Sequence, residues 1–355
     1  MELYVKNSEY EQIAVIDSFV SLIWTKRYYN CGDFELMISA EAGLLDVLKK
    51  DYFLTREDDD SVMVIEKIVV QTDAENGNYF LISGRSLESI LHRRIFIQQY
   101  YLHSTGTLAE LVQALVTECT TNKDSTQAHP RTYRQIAGLT VDTSSSFSGE
   151  MDVQFTGDTL LNAIISVCQP SEVGIKMTLE GSTLLLSLYQ GSESEAIFSP
   201  EFDNLVNSKY TEDNSQYANY AKILGEGEGS SRTGAEVLLF NPDVNPPTGL
   251  ALHELYVDAR NVSSNGGEIN HYEYSRMLAQ KGYDALSEHI VQKSFEAEVE
   301  PRMTYHYKTD YDLGDVVTVV NEYGVTANPR IIEIIESWDA TGYKVIPTFD
   351  ELEVL

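Results

Sequence analysis

The chain has 355 residues, enough for two or more domains, and 43% hydrophobic with 23% charged residues excludes a wholly disordered polypeptide. Fifty-five acids against 25 bases give a formal charge of −30, a field that repels phosphate backbones and disfavours general nucleic-acid binding. No apolar run reaches the roughly 18–20 residues that span a bilayer, and Met1 to Lys6 lacks the basic-then-apolar form of a secretory signal. Three widely spaced cysteines, Cys31, Cys119 and Cys168, form no CxxC pair and read as buried, reduced thiols of a protein made in a cytosol.

Short β-like runs dominate both ends. Ile13 to Ile16 and Phe19 to Trp24 are followed by a turn at Tyr28 to Asp33, and Phe34 to Ile38 alternates as a half-buried strand does. Leu44 to Leu48 reads as a short helical insert and Tyr52 to Thr55 as a strand. Glu57 to Asp60 reads as a solvated acidic turn. Val62 to Gln71 and Tyr79 to Ser83 flank Asn76-Gly77, the signature of a tight hairpin.

The middle is different. Ser86 to Arg94 reads as a short helix. Thr107 to Thr117 has a capping Thr107, Glu110 three residues on, and a stripe of Leu108, Leu111, Val112 and Leu115. Asp158 to Cys168 repeats that device before Pro170. The polar stretch from Thr120 to Gly149 between them reads mostly as loop. Ile175 to Leu179 and Thr183 to Tyr189 form a hairpin about Glu180-Gly181-Ser182. Tyr217 to Leu224 and Val237 to Phe240 are strands. Asn241 to Gly249, with three prolines, is a loop, Glu268 to His289 is the longest helix, and Ser294 to Phe349 is β-like again. Asp51 to Ser83 and Asp315 to Phe349 share a strand–turn–strand pattern in which Ile65-Glu66 matches Ile332-Glu333, which suggests two copies of one β module.

Catalytic signatures are missing. HExxH, GxSxG and the phosphate loop do not occur. No two of the seven histidines stand at helical ligand spacing. The acidic run Glu57 to Asp60 lacks calcium-loop register, and Asp310 to Asp315, a slightly better oxygen cluster, reads as a hairpin turn leading into Val316 to Val320. Gly225 to Gly229 is glycine-rich, but its two glutamates oppose a phosphate. No catalytic, cofactor or metal residue is therefore assigned. Arg93-Arg94 is conspicuous in so acidic a chain. It reads as charge at a helix C-terminus, or as an anchor to acidic groups of a neighbouring subunit or domain.

Three segments, in order, resemble bacteriophage tail hub proteins, the siphophage tail-tip or tail-associated proteins with the fold of the contractile-phage baseplate hub. They are Tyr29 to Leu36, with Gly32 and Phe34; Gly84 to Ile95, with Gly84-Arg85-Ser86-Leu87 and the paired Arg93 and Arg94; and Leu313 to Phe349, opening on Gly314-Asp315. The resemblance covers nearly the whole chain. It implies a homotrimer whose two β-barrel domains per subunit form a pseudo-sixfold ring, joining a sixfold tail to a threefold tip. It carries no catalytic residue and no cofactor, so the motif positions are expected to be structural. Related chains often continue into a lytic or receptor-binding extension, and this sequence stops at Leu355.

The expected fold is β-rich α+β: two β-barrel-like modules, a small α/β insert and a helix in the second half. The expected divisions are 1–95, first module; 96–172, insert; 173–230, strands completing the first module and a linker; and 231–355, second module with a helix near 268–289. The expected function is a non-enzymatic structural hub closing the distal tail tube. Its expected partners are two further copies of itself, a distal tail ring, a tape measure and tip or receptor-binding proteins. DNA would pass without specific binding, and there is no membrane anchor. Assembly would occur in the bacterial cytoplasm, on the way to the virion tail. The alternatives are a host-envelope binding module and a wall-degrading scaffold, which zymography on cell walls would reveal.

Overall fold

The computed structural model describes all residues except 41–43, 74–76, 121–133, 203, 241–244, 300–304, 321–325 and 351–355. The expected Asn76-Gly77 turn, the first part of the polar stretch after Thr120 and the start of the proline-rich loop lie partly outside the described residues.

The first 86 residues form seven strands and one helical turn: β1 (Leu3–Lys6), β2 (Gln12–Ile16), β3 (Ser21–Arg27), β4 (Asp33–Ser39), α1 (Leu44–Val47), β5 (Phe53–Arg56), β6 (Asp59–Asp73) and β7 (Gly77–Ser86). In β4 the alternation read from the sequence sends Phe34, Leu36 and Ile38 inward. In β5 and β6 both faces are buried. Leu54, Met63 and Ile65 enter a core with Leu22, Trp24 and Phe34, whereas Phe53, Val62 and Val64 enter a second core with the helices that follow. A run of four buried apolar residues, Val62 to Ile65, is what a strand covered on two sides requires.

Beyond the 3-10 turn Leu87–Arg93 come β8 (Tyr100–Ser104), α2 (Leu108–Thr120), β9 (Leu139–Val141), β10 (Met151–Phe155), α3 (Leu160–Cys168) and the hairpin β11 (Gly174–Glu180) and β12 (Thr183–Tyr189). The capping box of α2 is present: Glu110 N–H donates to Thr107 Oγ1 at 3.2 Å and Thr107 N–H to Glu110 Oε2 at 2.8 Å. Thr159 caps α3 in the same way, at 3.2 Å from Asn162 N. Ile175, Met177, Leu184 and Leu186 lie in the same core as α2 and α3. Residues 174–189 thus share a core with both α2 and α3 and the first-sheet residues Phe53, Val62 and Val64. Cys31, Cys119 and Cys168 are free and buried, and burial pushes the last two thiols up to about 12.

Two strands, β13 (Glu193–Phe198) and β14 (Leu205–Asp213), lead to a unit of β15 (Tyr220–Leu224), β16 (Gly234–Leu238), β17 (Glu254–Asp258) and α4 (His271–Ser287), with its own core around Ile223, Val237 and Leu278. Asn270 caps α4, accepting from Glu273 N at 3.0 Å. The chain ends in β18 (Gln292–Val299), β19 (Val316–Val320), β20 (Thr326–Ala327), β21 (Ile331–Asp339) and β22 (Gly342–Phe349).

Eleven strands share one sheet, in the order β14-β18-β22-β21-β3-β4-β7-β6-β5-β1-β2. The fold is mostly β with several sheets, and no barrel is closed among the described residues. The expected β-rich architecture is present, with β21 paired to β3, which puts both similar hairpins into one sheet, on either side of β3 and β4. Each hairpin carries a bulge. One lies between Ile65 and Lys67 and the other between Ile331 and Glu333, at the Ile-Glu pairs that drew attention in the sequence.

Candidate functional site

The two first motif segments are register partners. Asp33 faces Arg85 and Phe34 faces Gly84 across β4 and β7. Both glycines are there because backbone passes over them. A Cβ on Gly32 would stand 2.0 Å from the Thr25 carbonyl oxygen, and one on Gly84 would stand 1.9 Å from that of Val64. Gly32 N donates to Ser86 Oγ at 2.8 Å, and Phe34 packs on Trp24 with ring centroids 6.1 Å apart. Arg85 forks onto Glu66, the bulged residue of β6, at 2.8 and 2.7 Å.

The third segment meets the first at Tyr28, one residue before the motif begins. Tyr28 is fully buried. Its hydroxyl donates toward the carbonyls of Glu172 (3.0 Å), at the end of the insert, and Tyr189 (3.1 Å), in β12. Its backbone N–H donates to Ile332 O at 2.8 Å, and its carbonyl accepts from Ile175 N at 3.0 Å. Its ring fills the space over Gly174 and Gly314, where a Cβ would come within 2.3 and 2.4 Å. The Arg330 guanidinium lies 5.5 Å from the ring centroid and bonds Gly314 O and Glu172. Asp315 accepts from Ser192 N and Asp312 N, both at 2.8 Å. One tyrosine therefore joins the first sheet, the insert and the C-terminal strands.

A charged network extends from this joint. The Arg56 side chain is inaccessible to solvent and bonds Asp58 and Glu336, with Trp24 and Trp338, the only two tryptophans, at 5.4 and 4.5 Å from the guanidinium carbon. Asp59 is also buried, with Lys26 at 2.7 Å and Lys308 at 2.8 Å. Burial alone would raise its carboxyl, and the two ammonium groups outweigh this and hold it well below the usual range. The solvated acidic turn expected at Glu57 to Asp60 is thus corrected at its third residue: Asp59 faces inward as the counter-ion of two lysines. Arg56, Asp59 and Tyr28 escaped the sequence reading, because their partners lie up to about 300 residues away and no local pattern marks them.

A cleft of about 800 Å³ opens beside the joint, lined by Lys26, Lys176, Lys308, Glu88 and Asp315 among others. Each lysine is already paired with an aspartate. Among the described residues no three His, Cys, Asp or Glu converge as a metal site, and no helix is long and apolar enough to cross a membrane. Arg93 and Arg94 stand apart from the joint. Arg93 pairs with Asp51 at 2.8 Å, and Arg94 folds back onto the carbonyls of Arg134 and Arg93.

Residues 2–349 match the family described as Siphovirus ReqiPepy6 Gp37-like protein. The chain belongs to that family. Its fold is shared with phage tail proteins: the 43 kDa tail protein of prophage MuSo2 from Shewanella oneidensis (TM-score 0.59, 14% identity, 99% of this chain and 98% of that one); a tail protein from Neisseria meningitidis MC58 (0.57, 13%, 98% and 96%); and prophage tail protein gp18 from Listeria monocytogenes EGD-e (0.54, 11%, 99% and 95%). No curated protein matches the sequence. The family match bears out the resemblance to phage tail proteins, and identities this low make the three structures evidence of fold.

Proposed function

We propose that the protein is a structural hub of a phage or prophage tail, a trimeric ring at the distal end of the tail tube that carries the tip apparatus. What supports this reading is correspondence along the full length: the fold is shared with three tail proteins over at least 95% of each partner. The motif positions are consistent with a scaffold. Gly32, Gly84 and Gly314 permit close backbone approach, Phe34 fills a core, and Arg85 and Asp315 bind neighbouring segments. Arg93 and Arg94 lie outside this joint.

On this reading the protein performs no catalysis. Its partners are two further copies, a distal tail ring, the tape measure and tip or receptor-binding proteins, and its place is the virion tail after assembly in the host cytoplasm. A charge of −30 would keep passing DNA from adhering to the lumen. Light scattering after size exclusion tests the assembly. Three 39.9-kDa chains give roughly 120 kDa, with a ring in electron micrographs. A chain that stays monomeric, alone and with the adjoining tail ring, overturns the hub, and a basic channel lining overturns the role given to its charge.

A further inference from the structure

Bases are outnumbered 25 to 55 by acids, and one stretch sets an exposed arginine beside apolar side chains. After the turn Leu87–Arg93 the chain is extended, with Arg94 at φ −127°, ψ 142°. Alternation over residues 95–97 buries Phe96 and turns Ile95 and Ile97 outward, next to the exposed Arg93 that ends the turn. The two isoleucines are 44% and 45% exposed. Phe96 fixes the strip: it stacks on Phe155 at 5.1 Å, its N–H donates to Asp158 O at 2.9 Å, and its carbonyl accepts from Gly157 N at 2.8 Å. Arg94 is tied to backbone carbonyls, whereas Arg93 is held by a single ion pair, to Asp51 at 2.8 Å. Its pair with Asp51 is exposed on both sides and gives little resistance to exchange.

A complementary feature lies elsewhere on the same chain. A cleft of about 600 Å³ separates β10 and α3 from α4. Met151, Val153, Val167 and Met277 line it, and methionines adapt to irregular partners. Carboxylates surround this apolar floor, and Lys281 is its only lining Lys or Arg. Asp152 is committed to Arg276 and Glu172 to Arg330. Glu288 is exposed and makes no side-chain hydrogen bond or ion pair among the described residues. Asp284 is already engaged by Gln280 at 2.8 Å and Lys281 at 3.9 Å, which leaves Glu288 as the open carboxylate.

We infer that this cleft receives the Arg93–Ile95–Ile97 strip of a second copy of the chain, with the Arg93 guanidinium on Glu288. The occupant is argued from complementarity. The apolar floor matches two aliphatic side chains, and the acidic rim matches the arginine fork. A protein of charge −30 repels its own copies, so a self-contact needs one of its few cations at the contact. Strip and cleft are different surfaces, so the contact is head-to-tail, the kind that closes rings. This inference rests on the ring reading proposed above and assigns its interface.

The test is light scattering on full-length protein across a concentration series, with circular dichroism to confirm that each variant is folded. Arg93→Glu and Ile97→Asp are both solvent-exposed changes. Each should raise the concentration for half-dissociation by about tenfold or more. Glu288→Arg should do the same, and the double variant R93E/E288R should restore association. Wild type and single variants that are equally trimeric overturn this contact and leave the ring standing. A wild type that is monomeric throughout, alone and with the adjoining tail ring, overturns the ring and the contact together. A double variant that stays dissociated overturns the Arg93–Glu288 pairing.

Discussion

Arg56 and Glu336, 280 residues apart in sequence, form a two-pronged ion pair in the protein interior, with Nη1 and Nη2 at 3.1 and 3.2 Å from the two carboxylate oxygens. The rings of Trp24 and Trp338, one from each strand of the β3–β21 pair, lie 5.4 and 4.5 Å from the guanidinium carbon. Tyr343 adds a hydroxyl at 2.9 Å to Glu336 Oε1. The pair fastens the last hairpin to the first sheet.

Removing Arg56 leaves the Glu336 carboxylate buried without a counter-ion, and removing the Glu336 charge leaves Arg56 with Asp58 alone. Glu336→Gln is expected to cost about 3–5 kcal/mol, and Arg56→Met a similar amount. The double variant R56M/E336L should recover most of the loss, since apolar replacements of a buried pair are often neutral. Urea unfolding of the three variants checks this. Additive losses in the double variant would show that the two residues act separately.

Close backbone approach at β4 and β7 sets a second expectation. Alanine at Gly84 or Gly32 brings a methyl group to about 2 Å from a carbonyl oxygen of the neighbouring strand. The strand must move, at a cost of about 1–3 kcal/mol or more. Gly181→Ala is the control: nothing lies within 4 Å of its Cβ, and only its φ of +63° resists the change. Thermal unfolding should rank the Gly84 and Gly32 variants well below this control.

Local patterns were legible in the sequence and distant ones were not. The capping box at Thr107 and Glu110, the Thr159 cap and the Gly181 hairpin each need residues within a few positions, so their chemistry is visible in a short window. The alternation of β4 showed which residues face the core. The joint is built the other way. Tyr28 collects partners from positions 172, 175, 189, 314, 330 and 332, and Asp59 is neutralised by Lys26 and Lys308. An acidic run with such partners has the same sequence as one facing water. The shared sheet was hidden for the same reason, since β3 and β21 pair across about 300 residues.

Tyr28→Phe isolates the hydroxyl of the joint. The ring still fills the space over Gly174 and Gly314, and the two carbonyls lose a donor. The expected cost is about 1–3 kcal/mol. Hydrogen exchange should rise at the junction of the insert and C-terminal strands, with the α4 unit unchanged. Uniform loosening across the chain would mean that Tyr28 is an ordinary core residue.

Two buried carboxyls give opposite pH dependences. Asp59 is depressed on folding, so its contribution is complete above the unfolded value of about 3.9 and lost as pH falls through the folded value. Glu88 is the reverse. Burial raises its carboxyl, and the hydrogen bonds from Ser86 Oγ and from Met177 N at 2.7 Å offset this only in part, with Lys176 a lesser influence. Between the unfolded value of about 4.3 and the raised folded value, the native state holds the proton that the unfolded state has released. Stability from this group is therefore present at low pH and falls as pH rises through that window. Glu88→Gln keeps an acceptor for Met177 N and removes the titration. Its stability relative to wild type should climb from pH 4.5 toward neutrality and then level off. A difference that is flat across this range would mean that Glu88 stays ionised in the folded protein, held by donors stronger than its burial.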